Sequence, residues 1–318
     1  MDEKETRPRK WVTVSNEMIM ARMDWDIMMH RIMMVLISQI DSCRDERFQL
    51  QRVRVRDLRD LAQVSQKSIH REAAEAAAKL VRQPIEFWSD DRQDYEGYPI
   101  FAMCKYRSRE GVIEARFNDD ARPYLLQLSK HFTQYRLRQA IPLSTPYAIR
   151  TYEVSKMIER PGKKRTQKIP VVRLRKMFKL EDKYARHSDM RRRVVNPSVD
   201  EVNEKCDVDV ECLDVRDGQT PVALKWIVTS RRTTKERSEA NVDSSSPWPR
   251  SERKSAPYEV WIQQMDETER RSVREEARRL AMKAGYDPEN QRTFQAGVEM
   301  KLAALHRRQN EDTATESQ

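Results

Sequence analysis

Residues 144–228 constrain the fold most, because helix, strand and turn signals follow one another there in a set order and the charge is uneven. Ser144-Thr145 offers N-caps, Pro146 suits a first turn, and Ala148, Ile149, Tyr152 and Ile158 recur at roughly helical spacing. Lys168-Ile169-Pro170 is a short extended piece, and residues 171–178 and 189–203 are the next helical candidates. Residues 208–215 and 222–228 are β-branched runs joined by Arg216-Asp217-Gly218-Gln219, a hairpin with an Asp-Gly turn. Helix, strand, two helices and a hairpin is the order of a winged helix-turn-helix. Between Pro161 and Arg193 stand 13 Lys/Arg against 3 Asp/Glu, a local net of +10 that equals the formal charge of the whole chain. The remainder is therefore balanced. This module carries the cationic field, and a polyanion would bind there.

Composition narrows the class. A chain of 318 residues has room for two domains and an appendage, and 38% hydrophobic with 35% charged residues fits small modules with much surface. The longest apolar-rich run, 27–40, is interrupted by His30, Arg31, Ser38 and Gln39, so no span of a membrane is expected. No charged-then-apolar segment opens the chain, and a soluble cytoplasmic protein is the expectation. Cys43, Cys104, Cys206 and Cys212 are scattered, without a Cys-x-x-Cys or a neighbouring histidine, and read as inert thiols rather than zinc ligands or disulfides. The six glycines form no phosphate-binding loop; Gly162-Lys163-Lys164 lacks the first glycine of that motif. The five histidines never fall within two residues of one another, so the paired-histidine metal site of a nicking endonuclease is missing. Asp90-Asp91 and Asp119-Asp120 read as caps or solvated turns. The expectation is a binding protein, not an enzyme, with no metal and no cofactor.

The first half repeats the order of the second. Asp24 can cap a helix whose apolar positions are Trp25, Met28, Met29, Ile32, Met33, Leu36 and Ile40, an amphipathic stripe read as core. A methionine-rich stripe can also serve as an adaptable partner surface. Residues 48–50 are a candidate strand. Residues 55–62 and 66–82, joined at Gln63-Val64-Ser65, form a second helix-turn-helix candidate, and 85–88, 99–106 and 112–117 alternate like strands around a tip at 107–111. The predicted fold class is α+β, mainly helical: two tandem winged-helix domains, then a linker and a small helical tail. The divisions are a flexible N-terminus at 1–10, a first winged helix at 11–142, a second at 143–230, a linker at 231–256 and a tail at 257–318. The linker carries Ser244-Ser245-Ser246, Pro247 and Pro249 and almost no aliphatic residue. In the tail, Asp266 with Glu269 forms a capping box before Val273, Ala277, Leu280 and Ala284, and Gly285 closes that helix. Asp287-Pro288 starts another, with Phe294, Val298, Leu302 and Leu305.

Candidate DNA-facing residues emerge from a helical wheel over 189–203. Met190, Val194, Val195, Val199 and Val202 gather on one side, and Arg192, Arg193, Asn196 and Asn203 on the other. Arginine can pair bidentately with guanine and asparagine with adenine, so this stripe has the chemistry to read major-groove edges. A solvated surface is the plain alternative. Against it, three consecutive arginines repel one another without an anion, and Arg173, Arg175, Lys176, Lys179, Lys183 and Arg186 add to that cost. Lys163, Lys164 and Arg165, in the loop after the first helix, suit phosphate contacts that position without reading sequence. In the first domain, Lys67, Arg71 and Arg82 point away from an inner face of Ile69, Ala73, Ala76, Ala77 and Leu80. Glu72 and Glu75 dilute their charge, so weaker DNA contact is expected there.

Several of these segments resemble the Rep_3 family of plasmid replication initiators. They are Leu128-Ser129-Lys130-His131-Phe132-Thr133-Gln134-Tyr135 leading into Ser144-Thr145-Pro146-Tyr147-Ala148-Ile149-Arg150-Thr151-Tyr152-Glu153, together with Ser15-Asn16 near the start. Arg192-Arg193-Val194-Val195-Asn196-Pro197, followed by Glu201-Val202-Asn203, completes the set, and the resemblance spans about residues 11–229. It implies an initiator that binds repeated origin sites (iterons) as a monomer and an inverted-repeat operator as a dimer, so that initiation and autorepression share one protein. It also implies that the second winged helix makes the main major-groove contacts, while the first contacts DNA and holds the homodimer. Further partners on this reading are host replication proteins, such as the host initiator and helicase, and chaperones, with no membrane involved. The alternatives are a dedicated transcriptional repressor or partition adaptor on the same scaffold and, remotely, an origin-nicking enzyme. Pro197 falls inside the expected recognition helix, which either kinks there or begins anew with Asn196 as its cap.

Overall fold

The computed structural model describes residues 10–42, 45–64, 68–88, 95–126, 128, 131–231, 261–262, 265–283, 298, 301–302 and 305–306. The chain divides into two compact units, one of Met1–Glu86 with Gly97–Ser245 and one of Phe87–Glu96 with Ser246–Gln318. Along the chain come β1 (Trp11–Ser15), α1 (Asn16–Met20), α2 (Ile27–Ser38), β2 (Gln51–Arg54), α3 (Val55–Ala62) and α4 (Ile69–Leu80). Strands β3 (Pro84–Trp88) and β4 (Tyr95–Pro99) make a small sheet, and β5 (Phe101–Arg107) with β6 (Val112–Phe117) forms a hairpin. A 3-10 turn at Asp119–Ala121, α5 (Arg122–Leu125), β7 (Phe132–Arg136) and α6 (Leu137–Ala140) come next. The later elements are α7 (Pro146–Ile158), β8 (Arg165–Pro170), α8 (Val171–Met177), α9 (His187–Met190), a π-turn at Arg191–Val195, α10 (Asn196–Lys205), β9 (Val208–Asp217) and β10 (Thr220–Ser230).

Two winged helices in tandem result. In each, a short strand ahead of the helix pair returns to the second strand of the hairpin, giving antiparallel sheets ordered β2-β6-β5 and β8-β10-β9. Val53 faces Ile113 in one and Ile169 faces Leu224 in the other. Both helix pairs leave their first helix through a left-handed residue, Gln63 at φ +54 and Lys179 at φ +54. Gly218, at φ +56, supplies the turn of the second hairpin, where its missing Cβ removes the steric cost of that conformation.

Local signals explain most of these elements. Thr145 caps α7 by accepting from the Ala148 amide at 3.0 Å, and Pro146 occupies the first turn. Helix α2 is buried on nearly every side, including Met28, Met29, Met33 and Met34, so the methionine stripe is core. Its cap is not Asp24 but Asp26, which accepts from the Met29 amide at 3.0 Å; Asp24 pairs with Lys179 at 3.2 Å. The strand expected at 48–50 lies at Gln51–Arg54, where Gln51 and Val53 alternate inward and the polar Gln51 hides the period. The run 99–106 is two strands, broken after Pro99, whose nitrogen cannot donate to a ladder. A further sheet, β1 with β7, carries no pattern long enough to read in advance.

Helix α7 carries a buried polar strip that ties the two modules together. Arg150 donates to the Ala21 carbonyl at 2.8 Å and pairs with Glu153 at 3.1 Å, and Glu153 accepts from the Tyr135 hydroxyl of β7 at 2.7 Å. Farther along, Tyr152 donates to Asp207 at 2.9 Å, and Lys156 reaches Asp207 at 3.2 Å and Glu159 besides. Burial raises the Tyr135 and Tyr152 hydroxyls well above the usual phenol range, so both stay neutral donors.

In the other unit, α11 (Glu267–Lys283) opens with the capping box: the Glu269 amide donates to Asp266 at 2.8 Å and the Asp266 amide to Glu269 at 3.2 Å. Ile262, Ala277, Ala281, Val298 and Leu302 are buried together, with Val273 and Leu305 against them. Leu280 is half-buried. Ala284, Gly285, Asp287-Pro288, Phe294 and the linker beyond Arg231 lie outside the described residues. No helix among the described residues is long and apolar enough to cross a membrane.

Candidate nucleic-acid interface

The second helix-turn-helix presents one uninterrupted helical run, His187 to Lys205, across Pro197. Asn196 is helical, at φ −62 and ψ −49, and its amide donates to the Arg191 carbonyl five residues back. It is therefore not the cap of a shorter helix. Pro197 has no amide to give and crowds the carbonyl four residues back, and the π-turn just ahead of it opens the ladder where that carbonyl lies.

The extra residue of the π-turn also turns the wheel. Each residue of an α-helix advances roughly 100°, so a face drawn with α spacing from Arg192 misplaces residues beyond the π-turn. Arg192, Arg193 and Asn196 are exposed, as the wheel has them. Asn203 is not part of that stripe. It is half-buried, its amide donates to the Val210 carbonyl at 2.8 Å, and its oxygen accepts from the Val210 amide at 2.7 Å. Both ends of the side chain are committed to holding α10 on β9, which removes it from base reading. Asp200 and Glu204 are exposed on the C-terminal half, so the cationic character belongs to the N-terminal half.

The three adjacent arginines diverge rather than crowd. Arg191 turns to the hairpin, donating to the Cys212 carbonyl at 2.8 Å and approaching Asp214 at 3.6 Å. Arg192 donates to Asp189 at 2.9 Å; that bond, with the charges of Arg192, Arg193 and Arg186, holds the Asp189 carboxyl below its ordinary range. Arg193 lies over the Tyr184 ring at 5.9 Å. Asp214 gathers the hairpin side, with His187 at 3.0 Å and Arg216 at 3.4 Å. Burial alone would raise its carboxyl; the His187 bond and the charges of His187, Arg191 and Arg216 outweigh that and lower it.

Other basic residues lie apart from the stripe. Arg186 is exposed and begins α9, next to it. Lys163, Lys164 and Arg165 are exposed at the entry to β8, the sheet edge opposite β9, two strand spacings or roughly 10 Å from the strand that packs on α10. Lys163, Lys164, Arg165, Lys183, Arg186 and Arg193 have no carboxylate within ion-pair distance among the described residues. Lys179 and Arg175 are spent internally, the first on Asp24 and the second on carbonyls of the turn between the helices. In the first module, Arg71 is exposed but lies 3.9 Å from Glu75, and Arg82 is exposed beyond the end of α4. Lys67 is outside the described residues. The start of α4 is tied to its hairpin by His70 and the Tyr106 hydroxyl, 2.9 Å apart.

Sequence reasoning missed Tyr184, Asp214 and Arg231. Arg231 donates to Asp209 at 2.8 Å and also bonds the Asn203 carbonyl, closing β9 against the end of α10. Tyr184 could have been noticed as the one aromatic in the charged stretch 179–186 between the two helices; the others carry no local signal. The thiols of Cys104, Cys206 and Cys212 are pushed up to about 12 by burial, and Cys43 is outside the described residues.

A helix with an exposed cationic N-terminal half, set on a three-stranded wing and preceded by a second copy of the same architecture, defines a tandem winged-helix protein of nucleic-acid-binding type. The chain belongs to the Rep_3 family of initiator replication proteins: residues 11–156 match the model of the initiator replication protein WH1 domain and residues 170–227 that of the initiator Rep protein WH2 domain. Among solved structures, it is similar to the Pi initiator protein in complex with iteron DNA, with TM-score 0.61 and 20% identity, over 71% of this chain and 99% of that one. An uncharacterized 27.6 kDa protein of Escherichia coli is 26% identical over 156 residues, which are 48% of this chain and 64% of that relative's length.

Proposed function

We propose that this protein is a plasmid replication initiator that binds repeated double-stranded origin sites in the cytoplasm and, as a dimer, an operator at its own promoter. It acts by binding and recruitment, without bond-making chemistry of its own. The observation that carries the reading is the exposed row Arg192, Arg193 and Asn196 on the N-terminal half of a recognition helix, inside a family of initiators. Lys163, Lys164, Arg165 and Arg186 supply phosphate contacts that fix register, and Arg71 and Arg82 supply weaker contacts from the first module. The likeness to an initiator bound to iteron DNA supports the same kind of site.

Footprinting on the DNA flanking its own gene tests this. Protection of several direct repeats, with an inverted repeat covered at higher protein concentration, is the expected pattern. Protection of one inverted repeat alone would make the protein a dedicated repressor. Nicking of supercoiled origin DNA in magnesium would overturn the non-enzymatic reading.

A further inference from the structure

The turn between the two helices of the second helix-turn-helix is held from inside by one side chain. Arg175, in the last turn of α8, donates from Nη1 to the carbonyls of Leu180 at 3.1 Å and Lys183 at 3.0 Å. Its Nη2 donates to those of Tyr184 at 2.6 Å and Ala185 at 3.1 Å. A planar guanidinium offers donors in a fixed fork; a lysine ammonium, a compact point charge with three donors, cannot span the same carbonyls. The turn so held contains Tyr184 at φ +51, a left-handed conformation that is an outlier for a bulky side chain and persists only where its surroundings over-determine it. In that conformation the Tyr184 ring lies 5.9 Å from the Arg193 guanidinium, within cation–π range.

We infer that Arg175 is a positioning residue for DNA recognition, fixing the turn that presents Tyr184 as the platform from which Arg193 reaches a base edge. The inference rests on the reading of the second module as the sequence reader. An arginine in this basic segment would ordinarily be expected to meet a phosphate. Here the fork is consumed by protein carbonyls, so its effect on DNA passes through geometry rather than charge.

The test uses the full chain, duplex DNA carrying direct repeats from the region flanking its own gene, and random duplex of the same length. R175K keeps the charge, and about a tenfold loss is expected on the repeats, with little loss on random duplex and an unchanged salt slope. R193A should lose a similar amount, and the double variant no more than the larger single, because one residue acts through the other. Y184G separates platform from scaffold. Glycine relieves the left-handed strain, so this variant should melt no lower than wild type and still lose specific affinity. Wild-type repeat affinity in R175K or Y184G, multiplied losses of about a hundredfold in the double variant, or a shallower salt slope in R175K would each overturn the inference. Wild-type protein with no preference for the repeats would overturn the underlying reading as well.

Discussion

At the scale of single residues, the basic segment sorts into side chains spent on the protein and side chains left for a ligand. Arg175, Lys179 and Arg191 belong to the first group, and Lys164 and Arg193 to the second. Arg192→Ala or Arg193→Ala should weaken specific binding by roughly 1–3 kcal/mol and leave random duplex nearly untouched. Lys164→Ala should weaken all sequences alike and lower the salt slope by about one. Equal losses on both DNAs for the arginine variants would remove them from the base-reading role. A second residue-scale prediction concerns acid. Burial, aided by the Arg150 charge, lowers His30 from its ordinary 6.5 to about 3, so between those values the unfolded chain binds a proton that the folded one refuses. Stability is therefore full above about pH 6.5 and falls as pH drops toward 3, by up to about 1.4 kcal/mol per unit from this group. His30→Phe, which keeps a ring near Trp25, should flatten the urea-midpoint profile between pH 7 and 5; an unchanged slope would refute the assignment to His30.

At the scale of elements, the legible parts were those with a period or a cap. Helix α3 matches its expected bounds of 55–62, α7 starts at its Thr145-Pro146 signal, and α11 begins at its capping box. What failed was any face drawn through a change of helical pitch. No local signal marks a π-turn except the proline after it, so the wheel sets Asn203 on the wrong side. Asn203→Ala should cost about 1–3 kcal/mol of stability by leaving the Val210 amide and carbonyl unpaired. The folded fraction should still bind DNA at full affinity; a specific loss in folded protein would restore Asn203 to the interface. The hairpin of the first module bears on the dimer that the family resemblance implies. Strand β6 is central in its sheet, so of the two hairpin strands only β5 lies at an edge. If the operator complex is a dimer built on that edge, Ala102→Glu on exposed β5 should shift sedimentation toward monomer and favour direct repeats over the inverted repeat. Wild-type protein that stays monomeric at every accessible concentration would discard the dimer.

At the scale of the whole molecule, the tail is expected to be separable from DNA recognition, but the cut cannot fall at Ser230. Arg231 closes β9 against α10 through Asp209 and Asn203. A fragment ending just after Arg231 should hold the repeats with nearly full affinity, and limited proteolysis should release it first. Loss of most of its affinity in a normally folded fragment would assign the tail to the DNA-binding unit. The two modules could be read from the order of their helix, strand and turn signals. The strip along α7 could not, because Arg150, Glu153 and Lys156 look in sequence like any surface helix and become core only through partners on other elements.

That strip bears on how such chains can be recombined. A graft that keeps residues through α7 and borrows a foreign second module must import an acid where Asp207 stands, or Lys156 is left buried beside Glu159 alone. A graft that borrows α7 together with the second module must find a hydroxyl where Tyr135 stands and open carbonyls where Ile19 and Ala21 end their helix. Either mismatch leaves a buried charged side chain short of a hydrogen-bond partner, at a cost of about 1–3 kcal/mol, a noticeable share of what holds a domain folded. The two halves, alike as they are in design, are exchangeable only as a matched pair.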